Sequence, residues 1–176
     1  MGEIKRCLIV VDYQNDFVDG SLGFAKAATL DHGIAQKIRA YHAQGADVIF
    51  TLDTHSDEYL STQEGHNLPV PHCIAGTLGH RLYGETATCR QMDDKLFFKP
   101  AFGSMELALF LRTHPYQEVE LVGVVTNICV ISNAMLVKAA LPEAHVVVDS
   151  QLCASNDDAL HEAALRVMRG VQITVV

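Results

Sequence analysis

The chain has 176 residues, 49% of them hydrophobic and 19% charged, enough material for one globular domain, residues 1–176, with a sizeable core. Thirteen Lys and Arg against 21 Asp and Glu give a formal charge of -8 with no basic run, so no electrostatic footprint for nucleic acid or an anionic membrane surface is present. The five cysteines contain no CxxC pair, which argues against a disulfide framework or a four-thiolate zinc site and leaves each as a free thiol.

In chain order, the first apolar run is CLIVVD (7–12). It is too short for a signal sequence, and no later run reaches membrane-spanning length, so a cytoplasmic location is expected. Leu30, Ile34, Ile38 and Tyr41 then recur at helical spacing before a second strand-like run, DVIFTLD (47–53). Residues 54–94 break the rhythm: they are rich in His, Gly, Pro and Thr, and a long irregular insert of this kind is more often functional than idle. Strand-like KLFFK (95–99), helical SMELALFLR (104–112), strand-like VELVGVV (119–125) and helical ICVISNAMLVKAAL (128–141) follow. HVVVDS (145–150), NDDALHEAALRVMRG (156–170) and VQITVV (171–176) complete the alternation. Strands this continuously apolar, alternating with helices, predict an α/β protein of parallel βαβ units with helices on both faces of a six-stranded, mostly parallel sheet.

In such a sheet, ligands bind beyond the carboxyl ends of the strands. The first strand ends at Asp12, the second at Asp53 and the third at Lys99, while the fourth runs through Val125 and Thr126 into a helix bearing Cys129. Taken singly, Asp12 reads as a turn residue, Lys99 as a solvated cation and Cys129 as core filler. Together they supply what an amide-cleaving cysteine enzyme requires. A thiol near a helix N-terminus and a cation is activated, a carboxylate takes its proton, and a lysine offsets the developing charge. Backbone N–H groups around Thr126 and Cys129 are candidate donors to an oxyanion.

A second constellation is DTH (53–55) followed by STQEGHNLPVPHC (61–73). Asp53, His55 and His72, with Glu64 or His66 between them, offer nitrogen and oxygen ligands suited to Zn, Mn or Fe. No G-x-G-x-x-G follows the first strand, where VDYQND stands instead, and this disfavours a dinucleotide domain.

The motifs VDYQNDFVDG, DTH with PHCIAGTLG, FFKPAFGSMEL and GVVTNICV, taken in order, resemble the isochorismatase-like cysteine hydrolase superfamily and its nicotinamidase branch. The resemblance covers nearly the whole chain. It implies a three-layer α/β/α Rossmann-like fold, a catalytic triad of Asp12, Lys99 and Cys129, and metal ligands Asp53, His55, Glu64 and His72. It also implies a non-proline cis peptide at Val125–Thr126 that orients the oxyanion donors. Cys129 points to amide chemistry, with nicotinamide as the expected substrate. Another small amide, a ureido or an N-carbamoyl compound is the alternative, and a non-catalytic binding protein of the same fold is a more distant one. Phe17 is expected against the substrate and Gln14 as a hydrogen-bonding partner in the site. Assembly into a homo-oligomer is left open. The sequence departs from the branch at Leu68, where an aromatic residue is frequent, and at Asn127, where TD is frequent.

Overall fold

The structure, a computed structural model, describes residues 4–176. From the N-terminus it runs β1 (Arg6–Val11), α1 (Asn15–Val18), α2 (Ala25–Ala28), α3 (Asp31–Ala43) and β2 (Asp47–Asp53). A 3-10 turn (Tyr59–Ser61), α4 (Gln63–Asn67) and α5 (Gly84–Cys89) occupy the irregular insert. Then come β3 (Lys95–Lys99), α6 (Met105–Thr113), β4 (Glu118–Val124), a π-helical turn (Thr126–Val130), α7 (Ile131–Ala140), β5 (His145–Ala154), α8 (Asp158–Gly170) and β6 (Thr174–Val175).

All six strands are parallel, in the order β3-β2-β1-β4-β5-β6. Alternation along β1 explains its unbroken apolar sequence. Cys7, Ile9 and Val11 enter the core under α6, α7 and α8, whereas Leu8 and Val10 enter the core under α3. A strand covered on both faces has no position for a solvated side chain. On one side Ile34, Ile38 and Tyr41 of α3 close the layer; on the other, Leu107, Val137, Leu165 and Met168 do so. Each fully buried aliphatic side chain contributes roughly 1.5–3 kcal/mol.

The buried stripe of α8 is His161, Ala164, Leu165 and Met168, an i, i+3, i+4, i+7 pattern, and Asp157 caps it by accepting a hydrogen bond from Leu160 N at 3.0 Å. One member of that stripe, His161, is polar, and its partner is Thr126 in the π-helical turn. Among the described residues no helix is long and apolar enough to cross a membrane.

The structure differs from the sequence expectation at three edges. β5 continues to Ala154 past the polar Asp149 and Ser150, because a register shift opposite Leu121 and Gly123 of β4 carries the pairing onward. β6 is only two residues long. The helix expected from Ile128 begins instead as the π-helical turn, with Val130 N–H donating to Val125 O at 3.1 Å, before α7 takes regular form. Strand order reverses between β1 and β4, and the crevice at that switch point is where a doubly wound sheet holds its ligands. There Gly123, at φ 115, lies beside Val11; a Cβ on it would come within 2.1 Å of the Val11 carbonyl oxygen, so only glycine lets the two strands run this close.

Candidate active site

Asp12, one residue past β1, takes the left-handed conformation (φ 47), which aspartate tolerates better than most side chains. Its carboxylate is fully buried. Thr51 Oγ1 donates to Oδ1 at 2.6 Å, and Lys99 Nζ lies 2.6 Å from Oδ2. At that distance the ammonium and the carboxylate form a tight, buried ion pair. Lys99 is equally buried, and its donors reach Ala101 O (3.0 Å), Asp53 Oδ1 (3.3 Å) and Cys129 Sγ (3.6 Å). A charge at this depth persists because two carboxylates surround it.

Burial pushes the Asp12 carboxyl above the ordinary carboxylate range, with Lys99 pulling against it. Burial pushes the Lys99 ammonium down, but the carboxylate of Asp12 and the thiol of Cys129 outweigh it and hold the pKa high. Burial and then the charge of Asp12 push the Cys129 thiol well up despite Lys99. The thiol therefore holds its proton and Lys99 its charge, and the Asp12 carboxyl binds a proton more tightly than an ordinary carboxyl does.

The turn carrying Cys129 is held from two sides. Thr126 Oγ1 and His161 Nδ1 lie 2.9 Å apart, which satisfies the polar member of the α8 stripe, and Ser155 Oγ donates to Asn127 Oδ1 at 2.7 Å. The cis peptide lies at Val124–Val125, one residue earlier than the resemblance placed it. Val125 is the residue that opens the turn, its carbonyl accepting from Ile128 N (3.0 Å) and Val130 N. Val125 is still extended (φ -93, ψ 137), and the helical coil begins at Thr126.

His161 yields a pH prediction. Burial, followed by the charge of Lys26, lowers its pKa, while Glu162 and Asp158 act the other way. A histidine whose folded pKa is depressed takes its proton first in the unfolded chain, so its contribution to stability is intact above about pH 6.5 and declines below it. His161→Gln, which keeps a hydrogen-bonding group without titrating, is expected to lose less melting temperature than the parent between about pH 7.5 and pH 5.5. Equal losses would remove His161 from the pH dependence.

The insert folds back so that His55 and Ile74 form a parallel bridge, with His55 N donating to Cys73 O (3.0 Å) and Ala75 N to His55 O (2.8 Å). This brings together Asp53, His55, Glu64 and His72, whose donor atoms all lie within 4.8 Å of one another. His55 Nε2 is 3.0 Å from Asp53 Oδ2 and 3.9 Å from Glu64 Oε1; His72 Nε2 is 3.3 Å and 3.6 Å from the same atoms. A carbonyl only accepts, so the contact of His72 Nδ1 with Val70 O (2.8 Å) places the hydrogen on Nδ1 and directs Nε2 at the carboxylates. Two imidazoles and two carboxylates converging in this way, one ring oriented by a backbone carbonyl, are a donor set that fits a divalent metal ion. Tyr59 backs the group, its ring 4.8 Å from His55 and 4.9 Å from His72. His66 is exposed and outside the cluster.

A cavity of about 220 Å³ joins the two constellations, with Cys129 and Val125 on one side and Asp53, Glu64 and His72 on the other. Phe17, Leu68, Phe102 and Ile128 line it between them, and the Phe17 ring lies 5.5 Å from that of His72. Phe17, expected against the substrate, lines this cavity. Gln14 is different: it does not line the cavity, because its amide is consumed in fixing the backbone. Nε2 donates to Asp53 O (2.9 Å) and His80 O (2.8 Å), and Oε1 accepts from Asp53 N (2.8 Å). Its amide thus pairs with both backbone polar groups of Asp53. Thr51 and Tyr59 escaped the sequence reading; Thr51 could have been found as the one hydroxyl in an apolar strand, two residues before Asp53.

Residues 6–176 match the isochorismatase domain, and the chain belongs to the isochorismatase family. Nicotinamidase/pyrazinamidase of Mycobacterium tuberculosis (strain ATCC 25618 / H37Rv) is 30% identical over 189 residues, covering 97% of this chain and 98% of that one. Two similar solved structures are the nicotinamidase/pyrazinamidase PncA from Bacillus subtilis (TM-score 0.88, 26% identity, 98% and 100% of the two chains) and the pyrazinamidase of Pyrococcus horikoshii in complex with zinc (TM-score 0.85, 26% identity, 98% of both chains).

Proposed function

We propose that this protein is a nicotinamidase-like amidohydrolase, converting nicotinamide and water to nicotinate and ammonia through a thioester on Cys129. The observation that carries the reading is the contact of one buried ammonium, Lys99 Nζ, with both Asp12 Oδ2 (2.6 Å) and Cys129 Sγ (3.6 Å) at the edge of an apolar cavity. The names of the relatives support the same class of substrate.

In this reading the Cys129 thiol gives its proton to Asp12 as Sγ attacks the carboxamide carbon. The two shifts suit that concerted transfer, since a thiol with a raised pKa does not ionise alone and a carboxylate with a raised pKa is the stronger base. Backbone N–H groups of the turn at Val125, Thr126 and Cys129 hold the oxyanion, and Lys99 balances the charge that moves between Asp12 and sulfur. Collapse expels the amine, which leaves as ammonia with the proton held on Asp12. Asp12 then removes a proton from the water that cleaves the thioester and returns it to sulfur as the C–S bond breaks, restoring the thiol, and the carboxylic acid released gives its proton to solvent. Phe17 and the apolar wall opposite it hold a flat ring and exclude bulk water. Asp53, His55, Glu64 and His72 would hold a divalent ion, Zn, Mn or Fe, which supplies a Lewis-acidic anchor for orienting the substrate.

Ammonia release from metal-supplemented protein, measured on nicotinamide, a non-pyridine carboxamide and an N-carbamoyl amino acid, tests the proposal. Nicotinamide is expected to be hydrolysed with the highest kcat/KM. Turnover confined to the N-carbamoyl compound would move the assignment to ureido chemistry, and no turnover on any of the three would leave a binding protein.

A further inference from the structure

Asn133 lies one helical turn beyond Cys129 and is fully buried within α7. Asparagine is a mediocre helix former, and a buried amide must find partners for its donors and acceptor. Here all of them are used. Nδ2 donates to the Cys129 carbonyl at 2.8 Å and to the Phe102 carbonyl at 3.1 Å, while Oδ1 accepts from Ser104 N at 3.0 Å. One side chain therefore joins the backbone of the nucleophile's turn to the loop that follows Lys99. The same loop is gripped at its other end by Lys99 Nζ, which donates to Ala101 O at 3.0 Å. Ser104 in turn caps α6, its Oγ accepting from Leu107 N at 3.1 Å. Phe102, whose carbonyl Asn133 holds, lines the cavity.

We infer that Asn133 is a positioning residue for the reaction: it sets the spacing between Cys129 Sγ and Lys99 Nζ, and the place of the Phe102 wall, by clamping the two backbone segments that carry them. The inference rests on the proposed role of Cys129 as nucleophile. It separates from ordinary core stabilisation because an apolar side chain of similar size fills the same volume without holding either carbonyl. A loosened clamp lets sulfur, ammonium and wall shift relative to one another, and displacements of about 1 Å in such an array are enough to cost up to ~10²-fold in rate.

The test compares Asn133→Leu, Asn133→Thr and the parent, each confirmed folded by circular dichroism, for kcat and KM on nicotinamide and for the pH profile of Cys129 alkylation by iodoacetamide. Threonine at this position is able to bond the carbonyl four residues back but is too short to reach Phe102. Asn133→Leu is expected to lower kcat at least ~10-fold with KM changed less, and to displace the alkylation profile. Asn133→Thr is expected to recover part of kcat. The alkylation readout needs no amide turnover, so it judges Asn133 even if nicotinamide is not the substrate. A leucine variant with parental kcat and an unmoved alkylation profile, whatever its melting temperature, overturns the inference; should leucine prevent folding, the threonine variant with a parental kcat and profile does so instead.

Discussion

Asp12→Asn is expected to lower kcat at least ~10²-fold while the protein stays folded, the scale on which a general base is lost. The substitution is isosteric, and the amide oxygen still accepts from Thr51 Oγ1, so the packing around β1 is kept. What disappears is the charge that draws the proton from sulfur. Lys99 retains Asp53 as a partner at 3.3 Å and is not left alone in the core. Lys99→Ala is expected to cost at least as much in rate but is the less clean probe. Removing the ammonium leaves Asp12 and Asp53 buried without their cation, and breaking a buried pair typically costs about 3–5 kcal/mol. Cys129→Ala is expected to bring ammonia release to background. Because the three residues act as a unit, the double variant Asp12→Asn, Cys129→Ala is expected to be no slower than Cys129→Ala alone. Ammonia release by folded variants decides the matter, and near-parental turnover in Asp12→Asn would take Asp12 out of the mechanism.

The parts of this site legible in the sequence are those fixed by strand ends. A strand buried on both faces must be continuously apolar, so the polar residue that ends the run marks the rim, and Asp12 and Asp53 are read off in that way. Lys99 ends the short apolar run of β3, an edge strand whose Leu96 and Phe97 are half-buried and whose Phe98 is exposed. Cys129 follows from the change of period after Val125. Residues whose role depends on the return path of the insert were harder. Glu64 and His66 stand two apart in one short helix, and only the fold shows that Glu64 faces His55 and His72 while His66 faces outward. Gln14 carries the composition of a substrate-binding group, yet its amide is spent on Asp53 and His80, backbone contacts that no periodicity encodes. Asn133 was invisible for a related reason. A single amide among apolar helix residues looks like an ordinary helix position until the loop from Lys99 to Ser104 is seen folded against it. The extra length of β5 was hidden because Asp149 and Ser150 interrupt the apolar run while the backbone pairing resumes beyond them.

Extensive dialysis against a chelator is expected to abolish nicotinamide hydrolysis, and Zn, Mn or Fe to restore it. The reason lies in the electrostatics of the group itself. Asp53 and Glu64 both face the two imidazoles within 4 Å, and two carboxylates converging in a half-closed site repel each other unless a cation lies between them. Burial, followed by the charge of Asp53, pushes the Glu64 carboxyl above its ordinary pKa, with His55, His72 and Lys99 pulling against them. Glu64→Ala is therefore expected to weaken metal binding by at least ~10²-fold, the upper end of what even outer-sphere partners of a metal contribute, whereas His66→Ala, outside the cluster, is expected to change it little. Imidazole ligands must be neutral, so affinity is also expected to fall below about pH 6. Elemental analysis of the parent and both variants gives the metal content. Metal-dependent shifts in melting temperature give the affinity without reference to activity, since an ion that binds only the folded state raises stability by mass action. Equal loss in Glu64→Ala and His66→Ala would mean that the ligand set is misassigned, and a parent that binds no metal yet hydrolyses nicotinamide would leave the four residues as a hydrogen-bonded wall of the cavity.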